Sequence, residues 1–106
     1  MEVPEIDATE LDHLRRQAAA LIDVREPDEY VAGHVPGAVL VPLASVPDRL
    51  DEVPEAGTVY VICASGSRSL VAAEYYRSQG RDAVNVAGGT KAWMSSGHPV
   101  SVGMEP

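Results

Sequence analysis

Thr58-Val59-Tyr60-Val61-Ile62-Cys63-Ala64-Ser65-Gly66-Ser67-Arg68-Ser69 is the stretch that decides how the chain is read. Four of the five residues from Val59 to Cys63 are aliphatic or thiol, with a β-branched bias and no charge, which predicts a strand buried on both faces of a parallel sheet. Small polar residues around Gly66 come next, and from Leu70 the pattern turns helical. The turn therefore presents several backbone N–H groups converging at a helix N-terminus. Cys63 stands at the rim of that anion cradle. The helix N-terminus and the guanidinium of Arg68 both favour thiolate over thiol, and the thiolate is the nucleophile. In mid-strand a lone cysteine would read as a small buried hydrophobe. Its place before a glycine-containing, arginine-bearing turn overrides that reading.

The 106 residues suit one domain, 1–106, with a short acidic N-terminus and a flexible tail expected over 101–106. Hydrophobic residues make up 45% of the chain and the aromatics are four Tyr and one Trp, so the core is expected to be Val, Leu, Ile and Ala. A formal charge of -8 argues against nucleic acid and anionic membrane surfaces, both of which need clustered Lys and Arg. A single cysteine cannot form an intramolecular disulfide, which fits a reducing compartment, and the first residues lack the basic flank and apolar run of a signal peptide. A cytoplasmic location is the expectation. Asp48, Asp51, Glu52 and Glu55 have no His or Cys beside them and are read as a solvated face, so no metal site is expected.

Along the chain, Val3–Ile6 is expected as a first strand, and Asp7-Ala8-Thr9-Glu10 has the form of a capping box opening a helix to about Gln17, with Leu11 and Leu14 inward. Ala20–Val24 reads as a second strand ending in Asp23 and Arg25, at the edge where open parallel sheets carry their sites. Pro27 starts a short helix that Gly33 stops, Ala38–Val41 forms a third strand, and Leu43–Val53 a helix interrupted by Pro47. His34, alone between glycine and valine, is read as scaffold rather than base. After Cys63 a helix over about 67–79 places Val71, Ala72, Ala73, Tyr75 and Tyr76 on an apolar arc, with Glu74, Arg77 and Ser78 opposite. Ala83–Val86 is the last strand, and Gly88-Gly89 opens a final helix anchored by Trp93. Strands alternating with helices predict a parallel α/β sheet with right-handed crossovers.

The run Cys63-Ala64-Ser65-Gly66-Ser67-Arg68-Ser69 resembles the active-site loop of the rhodanese (sulfurtransferase) family. Three further segments resemble that family in the same order: Leu21-Ile22-Asp23-Val24-Arg25-Glu26 followed by Tyr30, then Gly33-His34-Val35-Pro36-Gly37-Ala38, then Gly88-Gly89 with Trp93, Gly97 and Pro99. The likeness runs from about Ile6 to Val100. It implies a three-layer α/β fold with a mostly parallel five-stranded sheet and helices on both faces. It also implies a chemistry in which the Cys63 thiolate takes a sulfane sulfur from thiosulfate or a persulfide and passes it to cyanide, a thiol or a protein. The intermediate is a covalent persulfide on Cys63, with no other cofactor.

In that chemistry N–H groups from Ala64 through Ser69 steady the anionic sulfur, and Gly66 supplies a backbone geometry that a Cβ would hinder. Ser67 and Ser69 either add hydroxyl donors or are merely the small residues of a tight turn. Arg68 either orients an anionic donor or pairs with an acidic residue. Asp23 and Arg25 resemble the family's Asp-x-Arg pair, whose implied role is to brace the loop. Two departures bear on the donor: thiosulfate enzymes of two domains carry arginine at the position of Glu29, and basic residues where this chain has Ala64 and Ser65. Two alternatives of other classes stay open. One is a phosphatase or arsenate reductase, whose related loop has five residues between Cys and Arg where this one has four. The other is a noncatalytic binding or carrier domain.

Overall fold

The structure is a computed structural model that describes residues 2–106. The Val- and Ile-rich segments form five strands: β1 (Glu5–Ile6), β2 (Ala20–Asp23), β3 (Val39–Leu40), β4 (Thr58–Ile62) and β5 (Asp82–Val86). They pair in the order β1-β5-β4-β2-β3, and every pairing is parallel. The strand that carries Cys63 at its end is therefore the central one. The helices are α1 (Ala8–Arg15), α2 (Pro27–Ala32), α3 (Ser67–Ser78) and α4 (Gly89–Ser95).

Side chains alternate across the sheet, as strand geometry requires. Ile22, Val59, Val61 and Ala83 point to one face, where they meet Ala72, Ala73 and Tyr76 of α3. Leu21, Ile62 and Val86 point to the other, where they meet Leu11 of α1, Tyr30 of α2 and Trp93 of α4. The sheet is thus covered on both faces, giving the three-layer α/β fold expected. Trp93 is fully buried and its indole N–H donates to the Pro99 carbonyl at 2.7 Å. Cys63 belongs to the α3 face.

Several expected boundaries shift for local reasons. On α1, the Asp7 carboxylate accepts from the Glu10 N–H at 2.9 Å, but the helix ends at Arg15 and the chain turns through Ala18 at φ 60°. β3 is shorter than expected and ends before Pro42, which cannot donate to a ladder. The segment expected as one interrupted helix is two 3₁₀ turns, Leu43–Ser45 and Pro47–Glu52. Val71 does not join the apolar arc of α3 and is 56% exposed; the stripe that faces the sheet is Ser69, Ala72, Ala73 and Tyr76, at helical spacing. The stretch 101–106, expected as a flexible tail, is tied down at several points. Ser101 and His34 exchange backbone hydrogen bonds at 2.9 Å, Gly103 N–H donates to the Val31 carbonyl, and a ring nitrogen of His34 lies 2.8 Å from the Glu105 carbonyl. His34 also stacks on Tyr30 with its other ring nitrogen against the Tyr30 carbonyl, as a scaffold residue would.

Candidate active site

β4 ends at Ile62, and the next residue, Cys63, lies at the carboxyl edge of the central strand. The chain then turns through Gly66, whose φ of 106° is left-handed, and enters α3 at Ser67. A Cβ on Gly66 would have its nearest neighbour at 3.5 Å, so it is the dihedral rather than lack of space that calls for glycine. The Gly66 N–H donates to Cys63 Sγ at 3.1 Å, and the Ser69 hydroxyl oxygen stands 3.3 Å from the same sulfur. Cys63 has no exposed surface. Burial pushes its thiol up, while the N–H groups of Ser69, Gly66 and Ser65, and the Ser69 hydroxyl when its hydrogen points at the sulfur, pull the other way and prevail, so the thiol is more acidic than usual. Of the N–H groups expected to face the sulfur, that of Gly66 makes the hydrogen bond, and those of Ser65 and Ser69 lie where they favour the charged form.

The α4 turn packs directly beneath this loop. Thr90 donates to the Cys63 carbonyl through its N–H at 2.9 Å and its hydroxyl at 3.1 Å, and the Lys91 N–H donates to the Ala64 carbonyl at 3.0 Å. A Cβ on Gly89 would sit 2.5 Å from the Cys63 carbonyl oxygen, so only glycine lets the two turns approach this closely. Fixing the Ala64 carbonyl toward α4 also aims the Ser65 N–H the opposite way, toward the sulfur, because the two are trans across one planar peptide.

Arg68 does not stand free to meet an anion. Its guanidinium forms a two-pronged pair with Glu29 of α2, Nη1–Oε1 at 2.7 Å and Nη2–Oε2 at 2.9 Å. The same carboxylate accepts from the Glu26 N–H at the start of α2. These contacts hold Glu29 down at about 2, with the Arg68 hydrogen bond the largest cause, and they raise Arg68 further above its usual range. Of the two sequence readings of Arg68, the structure shows the ion pair.

Asp23 and Arg25 are brought together as expected, in a buried pair joined by Nε and Nη2 at 2.9–3.1 Å. Arg25 also donates to the Gly33 carbonyl at 2.8 Å. Among the described residues their side-chain hydrogen bonds tie the end of β2 to the end of α2, and none goes to Ala64, Ser65, Gly66, Ser67, Arg68 or Ser69. Ser67 opens α3 and is exposed. A cleft of about 390 Å³ opens beside the loop at Ala64; its walls include Ala32, Gly33 and Met94, with Arg25, Glu29, Thr90 and Lys91 as polar residues.

Sequence reasoning did not single out Asn85, Thr90 or Lys91. Asn85 is fully buried on β5, where a polar residue interrupting Ala83-Val84-Asn85-Val86 was the available signal. No group of three or more His, Cys, Asp and Glu that could hold a metal occurs among the described residues, and no helix there is long and apolar enough to cross a membrane.

A cysteine at the end of a central parallel strand, ringed by the N–H groups of a short turn that leads into a helix, defines a cysteine-loop α/β domain. The model of the rhodanese-like domain matches residues 7–96, and the chain belongs to that family. A sulfurtransferase of Allochromatium vinosum is 36% identical over 101 residues, covering 92% of this chain and 94% of that protein. YrkF of Bacillus subtilis is 42% identical over 74 residues, 69% of this chain but 40% of YrkF, so the chain spans less than half of that relative. Among solved structures, a rhodanese-related protein of Thermoplasma volcanium is 30% identical with a TM-score of 0.87, over 94% of this chain and 99% of the other. The thiosulfate sulfurtransferase of Pseudomonas aeruginosa is 27% identical with a TM-score of 0.87, over 97% of this chain and 21% of the other.

Proposed function

We propose that the protein is a sulfurtransferase that carries a sulfane sulfur as a persulfide on Cys63. The observation that supports this best is the placement of the Cys63 sulfur at the mouth of the α3 turn, where the Gly66 N–H donates to it at 3.1 Å and the neighbouring N–H groups of Ser65 and Ser69 favour its charged form. The Cys63 thiolate attacks the outer sulfur of the donor; with thiosulfate, the S–S bond breaks and sulfite leaves with the electron pair. A thiophilic acceptor then takes the terminal sulfur: cyanide leaves as thiocyanate and the Cys63 thiolate is restored. The step needs no metal and no second cofactor. Ala64 to Ser69 form the cradle, and Asp23 and Arg25 hold the β2 end against which the site is built.

The donor favoured by this site is a persulfide on a small thiol or on a protein rather than thiosulfate. The Arg68 charge is matched by Glu29 and that of Arg25 by Asp23, so among the described residues lining the neighbouring, mainly apolar cleft the exposed Lys91 is the one cation without an ion-pair partner, a weak hold for a dianion. The acceptor is correspondingly a thiol, small or on a protein. The test is thiocyanate formation from thiosulfate and cyanide. Cys63→Ser is expected to abolish it while leaving the circular-dichroism spectrum unchanged. Wild-type turnover by that variant would sink the proposal.

A further inference from the structure

The Ser69 hydroxyl has one hydrogen and two claimants. Its oxygen lies 3.3 Å from Cys63 Sγ and 2.5 Å from Oδ1 of Asn85. The orientation of Asn85 is fixed from behind: its Nδ2 donates to Glu5 Oε2 at 2.8 Å and to the Gly66 carbonyl at 3.2 Å, both acceptors only. A flipped amide would set oxygen against carboxylate and carbonyl, so Oδ1 faces Ser69. Asn85 is 1% exposed, and a buried acceptor left unpaired is costly. The shorter contact therefore takes the hydrogen, and Ser69 turns a lone pair toward the sulfur. That suits a thiol, which can donate its S–H, and penalises a thiolate, which needs a donor.

We propose that Asn85 is a positioning residue that withholds the Ser69 hydrogen from Cys63 and thereby biases the site toward its sulfur-loaded form. The inference rests on the persulfide chemistry above. In the thiolate the negative charge lies on Sγ, beside Ser69. In the persulfide Sγ is uncharged and the charge lies one bond farther out, on the terminal sulfur. Withholding this one hydrogen therefore costs the empty thiolate more than the loaded site. The other charged groups around the sulfur are Arg68 of α3 with its partner Glu29 of α2, the Asp23–Arg25 pair at the end of β2, Lys91 of α4, and Glu5 of β1 behind Asn85. The two ion pairs are closed on themselves, and the hydrogen-bonded path from Glu5 to the sulfur runs through Asn85 and Ser69. The N–H groups of Ser65, Gly66 and Ser69 act on the sulfur unconditionally; the hydroxyl does so only when its hydrogen leaves Asn85.

The test uses Asn85→Ala, Ser69→Ala and the double variant, with the ultraviolet absorbance of the thiolate followed against pH; Cys63 is the only cysteine, so the signal is its own. Asn85→Ala should lower the thiol pKa by about one unit, or about tenfold more thiolate below the pKa. Ser69→Ala alone should not raise it, and Asn85→Ala should have no effect once Ser69 is gone. In exchange with thiosulfate and sulfite above the thiol pKa, the persulfide-to-thiolate ratio of Asn85→Ala should fall by the same factor of about ten. A rise in pKa with Ser69→Ala, an equal Asn85→Ala shift with and without Ser69, or an unmoved persulfide ratio would overturn the proposal. Ser69→Ala keeps Asn85 in place and decides the question if Asn85→Ala does not fold. Persulfide missing from every variant, wild type included, would refute the chemistry above instead, with the thiol titration still judging Asn85.

Discussion

Two strand-to-helix turns lie side by side at the carboxyl edge of the sheet. One runs from β4 through Cys63 and Gly66 into α3, the other from β5 through Ala87 and Gly88 into α4. Both enter their helix through a left-handed glycine, Gly66 at φ 106° and Gly88 at φ 78°. They differ in what becomes of their N–H groups. In the α3 turn these converge on the Cys63 sulfur, whereas in the α4 turn those of Thr90 and Lys91 go to the carbonyls of Cys63 and Ala64. A helix N-terminus is an anion site only where its donors are unclaimed. The second turn spends its donors on aiming the first.

The sharpest way to break this pairing is Gly89→Ala. The added Cβ meets backbone oxygen of Cys63 at 2.5 Å and of Ala64 at 2.6 Å, neither of which can step aside, and φ at 58° is itself unfavourable for alanine. We expect a loss of about 2–4 kcal/mol in thermal or denaturant unfolding. Sulfur transfer should fall on the order of a hundredfold as the loop is displaced. Gly66→Ala, whose Cβ would make only ordinary contacts from 3.5 Å outward, tests the dihedral alone and should cost only about 1–2 kcal/mol. Equal effects of the two substitutions would mean that α4 does not aim the loop.

The same contrast explains what could be read from the sequence. The α3 turn was legible because its signal is local: a β-branched run, a thiol, a glycine and an arginine within one stretch. The parallel sheet followed from strand and helix alternation, and the structure adds that every pairing is parallel. The Thr90 and Asn85 contacts were not legible, since they join residues 27 and 16 positions apart and no periodicity marks such pairs. Arg68 is the instructive middle case: its charge was plain, but its partner Glu29 lies 39 residues away, and only the fold brings them together. Val71 was misplaced because the hydrophobic pattern of α3 is diffuse, the face toward the sheet being set by the small residues Ser69, Ala72 and Ala73.

The Glu29–Arg68 pair offers a smaller effect that separates cradle from charge. Glu29→Gln leaves the N–H groups in place and frees the guanidinium. It should raise kcat/KM for thiosulfate about fivefold, roughly 1 kcal/mol for an ion pair a third exposed. Methanethiosulfonate, singly charged but donating sulfur in the same way, should gain less. Equal gains would show that the pair does not set donor charge.

Smallest of all is the contribution of that pair to stability. Glu29 is held at about 2 against an ordinary value of 4.5. A folded-state value below the unfolded one stabilises the protein above about 4.5, and the benefit is lost as pH falls toward about 2. The thermal midpoints of wild type and Glu29→Gln should therefore converge over that range. A gap that stays constant would mean the ion pair adds nothing to folding.

The most direct test is intact-protein mass spectrometry after incubation with thiosulfate or an alkyl persulfide, then with cyanide. The wild type should gain one sulfur atom and lose it to cyanide, and Cys63→Ser should do neither. No mass gain by the wild type with either donor, or a cyanide-labile gain that persists in Cys63→Ser, would contradict a persulfide held on Cys63.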